Sequence, residues 1–311
     1  MGYKKISVVI PHYNDPNINE CLKFLLNQDY PKDFYEILII DNASTEFYLE
    51  EELHHSKNCR IMQQYKRGSY ASRNIGIHHA EGDIIAFTDS DCVPDVHWLS
   101  NINQEFQNSE DDIVAVQGKS FSTENNVVAQ AIHEMYNDTF ERYVLLQNES
   151  CLGLDTRNCA IIKNVFEKIG VFNEDMLFWG DSELGKRINE HGWKIKYSPM
   201  MNIIHHDIEE LDVFMKKRIK EGKISSKTFL EFGAKYTKKY FPEMLFIFLK
   251  SKQDVNSKCI ELINLRNELK DDHSFSPEEQ KDRIKEISMK AFTLGVISTT
   301  NNYPVDINEF L

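Results

Sequence analysis

The stretch Ile84-Ile-Ala-Phe-Thr-Asp-Ser-Asp91 decides how the rest of the chain reads. Five uncharged residues run into two carboxylates, the pattern of a strand buried on both faces that delivers acids to its carboxyl end. Neighbouring carboxylates repel unless a cation sits between them, and a hard divalent ion with oxygen ligands resolves that repulsion. The plainer reading is a turn or a helix cap, because Asp and Ser cap helices and Pro94 follows closely. The segments on either side separate the two.

Upstream, residues 69–80 carry helical periodicity that stops at Glu81-Gly82-Asp83. Ile6-Ser-Val-Val-Ile10, broken by Pro11, and Glu36-Ile-Leu-Ile-Ile40 are further buried strands, with a third near residues 61–65. Ile18, Cys21, Leu22, Leu25 and Leu26 keep helical spacing between the first two. Strands alternating with helices predict right-handed βαβ units in a doubly wound, mostly parallel sheet. Ligands of such sheets bind beyond the carboxyl ends of the strands. Residues 11–15, 41–44 and 89–91 are therefore expected to converge on one crevice.

Downstream, residues 116–118 close another strand, residues 127–146 read as a helix, and residues 152–158 as a loop. Helices over 163–170 and 181–191 and strands near 194–197 and 202–205 complete the core. From Ile208 onward the periodicity is helical, with Ser276-Pro-Glu-Glu279 as a helix start.

A chain of 311 residues has room for one large core or a core plus an appendage. Its 36 Lys and Arg against 49 Asp and Glu leave a net charge of −13, which argues against nucleic acid as a partner but permits a local basic patch. Six scattered cysteines without a C-x-x-C pair fit reduced thiols of a cytoplasmic protein better than a disulfide framework or zinc finger. The start of the chain has no secretory pattern. The longest apolar run, Met244-Leu-Phe-Ile-Phe-Leu249, is far short of the roughly 20 residues that span a bilayer.

Several side chains could do chemistry. Asp41 ends the second strand, where an acid can accept from a base or a ribose hydroxyl; an Asx-turn would use the same residue. Arg73, in a helix otherwise lined by small residues, can neutralise an acid or phosphate. Asp181 and Glu183 follow Phe178-Trp179-Gly180 at a helix start, where a carboxylate can act as general base or merely offset the helix dipole. Trp179 offers a flat face for a sugar ring. Of His205 and His206 at the end of a late strand, alternation lets only one reach a metal. A phosphate loop G-x-x-x-x-G-K-[ST], a G-x-G-x-x-G turn after the first strand, a G-x-S-x-G elbow and an H-E-x-x-H helix are all absent from the sequence.

Taken in order, Ser7-Val-Val-Ile-Pro-His-Tyr-Asn14, Ile39-Ile-Asp-Asn-Ala-Ser44, Ala71-Ser-Arg-Asn-Ile-Gly76, Ala80 through Pro94 and Phe178-Trp-Gly-Asp-Ser-Glu-Leu184 resemble the family-2 glycosyltransferases. The resemblance covers roughly residues 4–206 and implies a GT-A fold: a mixed, mostly parallel α/β sheet flanked by helices. It implies an inverting transferase that uses a nucleotide-diphospho-sugar, with Pro11, Tyr13 and Asp41 around a uridine-type base and ribose and Arg73 nearby. Asp89 would face ribose or the water shell of a metal, Ser90 would line the nucleotide, and Asp91 of this DXD motif would bind Mn²⁺ or Mg²⁺. His205, or alternatively His206, would be a second metal ligand. Asn158 would lie near the donor sugar, and Asp181 would be the base. Many members have two consecutive acids where this chain has Gly180-Asp181, which leaves Glu183 as a rival base.

Two other functions compete with this one. A sugar-nucleotide pyrophosphorylase should carry a glycine-rich basic loop where Pro11-His-Tyr-Asn14 stands, and a non-catalytic nucleotide-sugar scaffold would have no need of Asp181. The expected organisation is a catalytic domain over residues 1–206 and a helical region over 207–311 that shapes the acceptor site or an oligomer contact. Its basic segment, residues 214–240, suits an acidic acceptor, a lipid diphosphate or peripheral contact with a membrane, although a solvated face would look the same. The acceptor itself, whether saccharide, lipid-linked glycan or peptide, is not written in the sequence.

Overall fold

The computed structural model describes residues 2–46, 49–50, 53, 56–123, 126–143, 145, 150–240 and 255–300. They form two compact units, Met1–Ser122 with Asp138–His206, and Thr123–Asn137 with Asp207–Leu311. The second unit takes in residues 123–137, which the sequence pattern places in the N-terminal part.

The first unit is built on one mixed sheet. Its strands are β1 (Ile6–His12), β2 (Tyr35–Asp41), β3 (Cys59–Gln63), β4 (Ile84–Thr88), β5 (Cys92–Pro94), β6 (Ile113–Ser122), β7 (Ser150–Cys151), β8 (Asn158–Ile162) and β9 (Lys194–His205). Their order is β3-β2-β1-β4-β8-β6-β9-β5, with β7 paired to β9. The first four strands of that order are parallel, and β8 runs antiparallel to both β4 and β6. Helices α1 (Ile18–Leu26), α2 (Ser69–His79), α3 (Trp98–Gln107), α4 (Val127–Tyr143), α5 (Val165–Ile169) and α6 (Gly180–Glu190) connect the strands.

Alternation along β1, β2 and β4, with both faces buried, explains why their sequences are mostly apolar. Val8, Ile10, Ile37, Ile39, Ile84 and Ala86 face one layer, packed against α1 and against Trp98, Leu99 and Ile102 of α3. Val9, Leu38, Ile40, Ile85 and Phe87 face the other, against Tyr70 and Ile77 of α2, α5 and Leu184 of α6. With both faces covered, no position on β1, β2 or β4 needs to satisfy water.

Where local signals are weaker the structure departs from the sequence pattern. β1 continues through Pro11 to His12, because its pairing with β4 stops at Val9 and the proline lies beyond that ladder. The segments at 194–197 and 202–205 are one strand with a bulge, where Gly118 faces Ser198 but Lys119 faces Asn202, so residues 199–201 are extra to the register. β5 and β8 leave no clear mark in the sequence: one has three residues, and the other opens on an asparagine.

A polar knot closes the amino ends of the strands. Ser7 Oγ donates to Glu36 (2.6 Å), which also accepts the Glu81 N–H and pairs with Arg60, while the Gly82 N–H donates to Ser7 Oγ (2.8 Å). All six cysteines are free thiols, and all but Cys59 are buried.

In the second unit, Val128, Ala131 and Ile132 of α4 share a core with α7 (Leu211–Tyr240), α8 (Val255–Asp271) and α9 (Pro277–Thr300). Ser276 caps α9 as expected: its backbone and hydroxyl both donate to Glu279, whose N–H returns a bond of 3.3 Å. Lys216, Lys217, Lys220 and Lys227 of the basic segment are exposed, whereas Arg218 bonds Glu221 and Ser288. The side chains of Lys235, Lys238 and Lys239 and the run 244–249 lie outside the described part. Among the described residues, no helix is long and apolar enough to cross a membrane.

Two outcomes are expected of these contacts. A Cβ at Gly82 would lie 2.6 Å from Ser7 N and 2.8 Å from Lys5 O, backbone atoms that cannot give way. Gly82→Ala should cost about 1–3 kcal/mol in chemical denaturation. Asp212 is bonded by both arms of Arg266 (2.8 and 2.6 Å) and by Lys270, and Arg266 above all holds its carboxyl down to about 2 from 3.8. A depressed carboxylate stabilises the fold above its unfolded value and loses that contribution as pH falls through its folded one. Asp212→Asn should therefore lower stability at neutral pH by about 1 kcal/mol, and the gap from the parent should close between pH 3.8 and about 2.

Candidate functional site

The chain runs outward from β1 to β2 and β3, then returns across the sheet through α2 to add β4 on the other side of β1. That reversal opens a crevice at the carboxyl ends of β1 and β4. The carboxyl ends of β1, β2 and β4 carry three groups the sequence singles out: Pro11 with Tyr13, Asp41, and Asp89-Ser90-Asp91.

The two loops on the β1 and β2 side are stitched together. Asn14 and Ala43 both adopt positive φ (50° and 57°), which turns each chain sharply at its strand end. The Asn14 N–H donates to Ser44 Oγ (3.0 Å), and the Ser44 N–H donates to Asp41 Oδ1 (3.1 Å). Asp41 is buried beside His12, its partner in register. Tyr13 is half exposed, with the Arg67 guanidinium 4.1 Å above its ring. An exposed aromatic face next to a buried acceptor can take a flat heterocycle with an N–H or O–H to donate.

On the β4 side, Arg73 of α2 is almost fully buried and pairs with Asp89, at the turn that follows β4. Burial pushes the Asp89 carboxyl above its ordinary value, and Arg73 opposes the rise. Among the described residues Arg73 Nε has no hydrogen-bond partner, so a buried donor remains unmet beside the crevice. Ser90 Oγ donates to Asp15 (2.9 Å), fixing the middle of the tripeptide to the loop after β1.

Asp91 meets the end of β9. His205 Nε2 lies 3.4 Å from its carboxylate, and the Cys92 thiol is 3.7 Å away. These three side chains can bring one ligand atom each to within 4.8 Å of the others. A carboxylate and an imidazole at this separation suit a divalent cation that keeps positions open for phosphate oxygens. His206 turns away, its Nε2 3.1 Å from Glu20. Alternation allows one histidine to face Asp91, and it is His205.

Asp181 stands at the start of α6. Its Oδ1 accepts from the Ser182 N–H (2.9 Å) and from the Tyr70 hydroxyl (3.2 Å). Burial raises its carboxyl above the ordinary value, the charge of Asp155 adds to the rise, and Arg73 opposes it. Glu183, the rival, is buried and pairs with Arg187 one turn along (2.8 Å). Trp179 has positive φ (67°) at the helix start and packs edge-on to Phe178.

Asn158 does not present its side chain to the crevice. It is fully buried, with Oδ1 accepting from Trp98 Nε1 (2.8 Å) and Nδ2 donating to the carbonyls of Lys119 and Met201. Its amide braces β8 against β6, β9 and α3. The neighbouring Asp155 does reach the charged groups of the site: it is felt electrostatically by Asp181, Asp89 and His205. Burial alone would raise Asp155, but the guanidinium of Arg157 bonds both its oxygens and leaves it below the ordinary value. Asp155, Arg157 and Tyr70 are the residues that sequence reasoning passes over. Tyr70 had a signal, as the one bulky ring in the small-residue start of α2.

Comparison with known proteins identifies the family and the fold. The family model described as glycosyl transferase family 2 matches residues 7–170. Glycosyltransferase AglE of Haloferax volcanii is 29% identical over 223 residues, 70% of this chain and 72% of that protein. The dolichyl N-acetyl-alpha-D-glucosaminyl phosphate 3-beta-D-2,3-diacetamido-2,3-dideoxy-beta-D-glucuronosyltransferase of Methanococcus voltae is 26% identical over 235 residues, 70% of this chain and 71% of that one. Among solved structures, the mannosyltransferase PcManGT from Pyrobaculum calidifontis, in complex with GDP-Man and Mn²⁺, superposes with a TM-score of 0.63 at 16% identity, covering 98% of this chain and 89% of the other. The fold is the GT-A fold, the family match spans more than half of the length, and the chain belongs to glycosyl transferase family 2.

Proposed function

We propose that this glycosyltransferase transfers a sugar from a uridine diphosphate donor to a hydroxyl of a lipid-linked saccharide, with inversion at the anomeric carbon, a divalent cation and Asp181 as general base. The observation that carries the reading is the buried chain Asp89–Arg73–Tyr70–Asp181, which links the strand-end acids to a carboxylate of raised pKa in the same crevice.

Tyr13 stacks on the uracil, Asp41 accepts from the base, and Pro11 shapes the floor beneath it. Asp89 and Arg73 face the ribose and the sugar side of the diphosphate, with Ser90 along the nucleotide. Asp91 and His205 hold Mn²⁺ or Mg²⁺. The cation, when bound, offsets charge on the departing diphosphate. Asp181 accepts the proton of the acceptor hydroxyl as that oxygen attacks the anomeric carbon from the face opposite the leaving group, so configuration inverts. Trp179 offers its face to the acceptor sugar. The lipid-linked acceptor draws support from the name of the Methanococcus voltae relative. The uridine preference rests on the strand-end residues alone.

Asp91→Asn, or a chelator added to the unaltered enzyme, should abolish transfer measured with labelled donor, and added Mn²⁺ should restore only the chelated enzyme. UDP-sugars should be turned over in preference to GDP-sugars; the reverse order overturns the base assignment. Asp181→Asn should lower kcat about 10²–10⁴-fold with donor affinity by calorimetry nearly unchanged. Because burial raises the Asp181 carboxyl and the base must be ionised, kcat/KM should fall on the acid side above the usual carboxylate range. Near-normal transfer by Asp181→Asn would remove it from the mechanism.

A further inference from the structure

We infer that Tyr70 is a positioning residue that aims the Asp181 carboxylate, and that Gly180 is glycine so that the Tyr70 ring can reach it. The inference rests on the reading of Asp181 as base and adds to it the group that holds the base.

The hydroxyl of Tyr70 has one proton to give. The Gly180 N–H donates to its oxygen at 2.9 Å, so that oxygen is already an acceptor and its own hydrogen is directed at Asp181 Oδ1, 3.2 Å away. Burial pushes the phenol well above its ordinary value, so it remains a donor at any pH the enzyme meets. The ring has little room to move. Phe172 stacks on it at 5.3 Å and 19°, and the Arg73 guanidinium lies 5.7 Å from its centroid.

On the helix side, a Cβ at position 180 would stand 2.7 Å from Tyr70 Cε2 and 2.9 Å from Cζ. Phe172 stacks on the ring and limits its freedom, so a side chain at 180 would clash with it unless the ring were displaced. The sequence departs here from the two consecutive acids of many family members, and the structure supplies the reason: the tyrosine fills the space that a side chain at 180 would need. The start of α6 lacks a side-chain cap, and the Tyr70 hydroxyl takes over one of its free N–H groups. One hydroxyl thereby fixes both the helix end and the carboxylate that follows it.

Tyr70→Phe keeps the ring and removes only the hydroxyl. In the full chain it should lower kcat about 10- to 100-fold while leaving donor KM within about two-fold. Losing a donor to the ionised form should also move the acid limb of the kcat profile upward by about half to one pH unit. Among the described residues, Arg73, Asp155 and the Cys159 thiol are charged or titratable groups that face Asp181 beside Tyr70, and the substitution alters none of these three. A ¹³C titration of the aspartate carboxyls, with Asp181 assigned by its loss in Asp181→Asn, reads the same upward shift without turnover. In the Asp181→Asn background Tyr70→Phe should cost nothing more.

If Tyr70→Phe leaves kcat and the acid limb unchanged while Asp181→Asn is severe, positioning by Tyr70 is wrong and the base reading stands. Independent, multiplicative losses in the double variant would also overturn it. If Asp181→Asn is itself near normal, the base reading falls and takes the inference with it.

Discussion

A guanidinium taken out of water beside the switch point is the constraint on which the site depends. Arg73 is sequestered on α2 and answered by Asp89 at the turn after β4. Removing Asp89 would strand a buried charge at a cost of about 3–5 kcal/mol, so helix and strand end are locked in one arrangement. Much else is referenced to that pair. The carboxyls of Asp89 and Asp181 both feel Arg73 against the rise that burial imposes, and the Tyr70 ring lies under its edge. A cation this deep is a poor source of stability and a good source of geometry.

The parallel half of the sheet was legible in the sequence for a simple reason. β1, β2 and β4 are covered on both faces, so they read as nearly continuous apolar runs, and the polar residues that follow them stand out. Asp41, Arg73, Asp89, Asp91 and Asp181 could be found because charged side chains contribute little to packing and are conspicuous beside buried segments. In the other half, β6 and β9 were legible but β5, β7 and β8 were not. β8 begins with Asn158, whose polarity suggests a loop until its amide is seen to be consumed by Trp98, Lys119 and Met201. That long-range satisfaction also accounts for the likeness of Asn158 to a ligand group: a buried amide and a binding amide have the same sequence signature. Tyr70 was hidden by the opposite error, since a ring in a helix reads as core, and here it is core at one end and a hydrogen-bond donor at the other.

The two histidines show what alternation can and cannot deliver. The period of a strand states that one of the pair faces each way, but not which. The choice follows from the antiparallel register of β5 on β9, which sets His205 opposite Cys92 and so next to Asp91. His206, just past the last strand residue, meets Glu20 instead. A three-residue strand too short to recognise in sequence therefore decides the composition of the candidate metal centre.

The thiols distributed through the first unit have a practical consequence. Cys21 and Cys92 flank the acids after β4, Cys159 lies in β8 and Cys151 in β7, all buried and all with thiols pushed upward by burial. An alkylating reagent attacks thiolate that solvent can reach, and here it must wait for the surrounding layer to part. Each of these cysteines is thus a built-in clock for the opening of its own strand or, for Cys21, of α1. A clock at Cys92 slowed by substrate and one at Cys151 left running would resolve, strand by strand, how far ligand binding tightens the sheet.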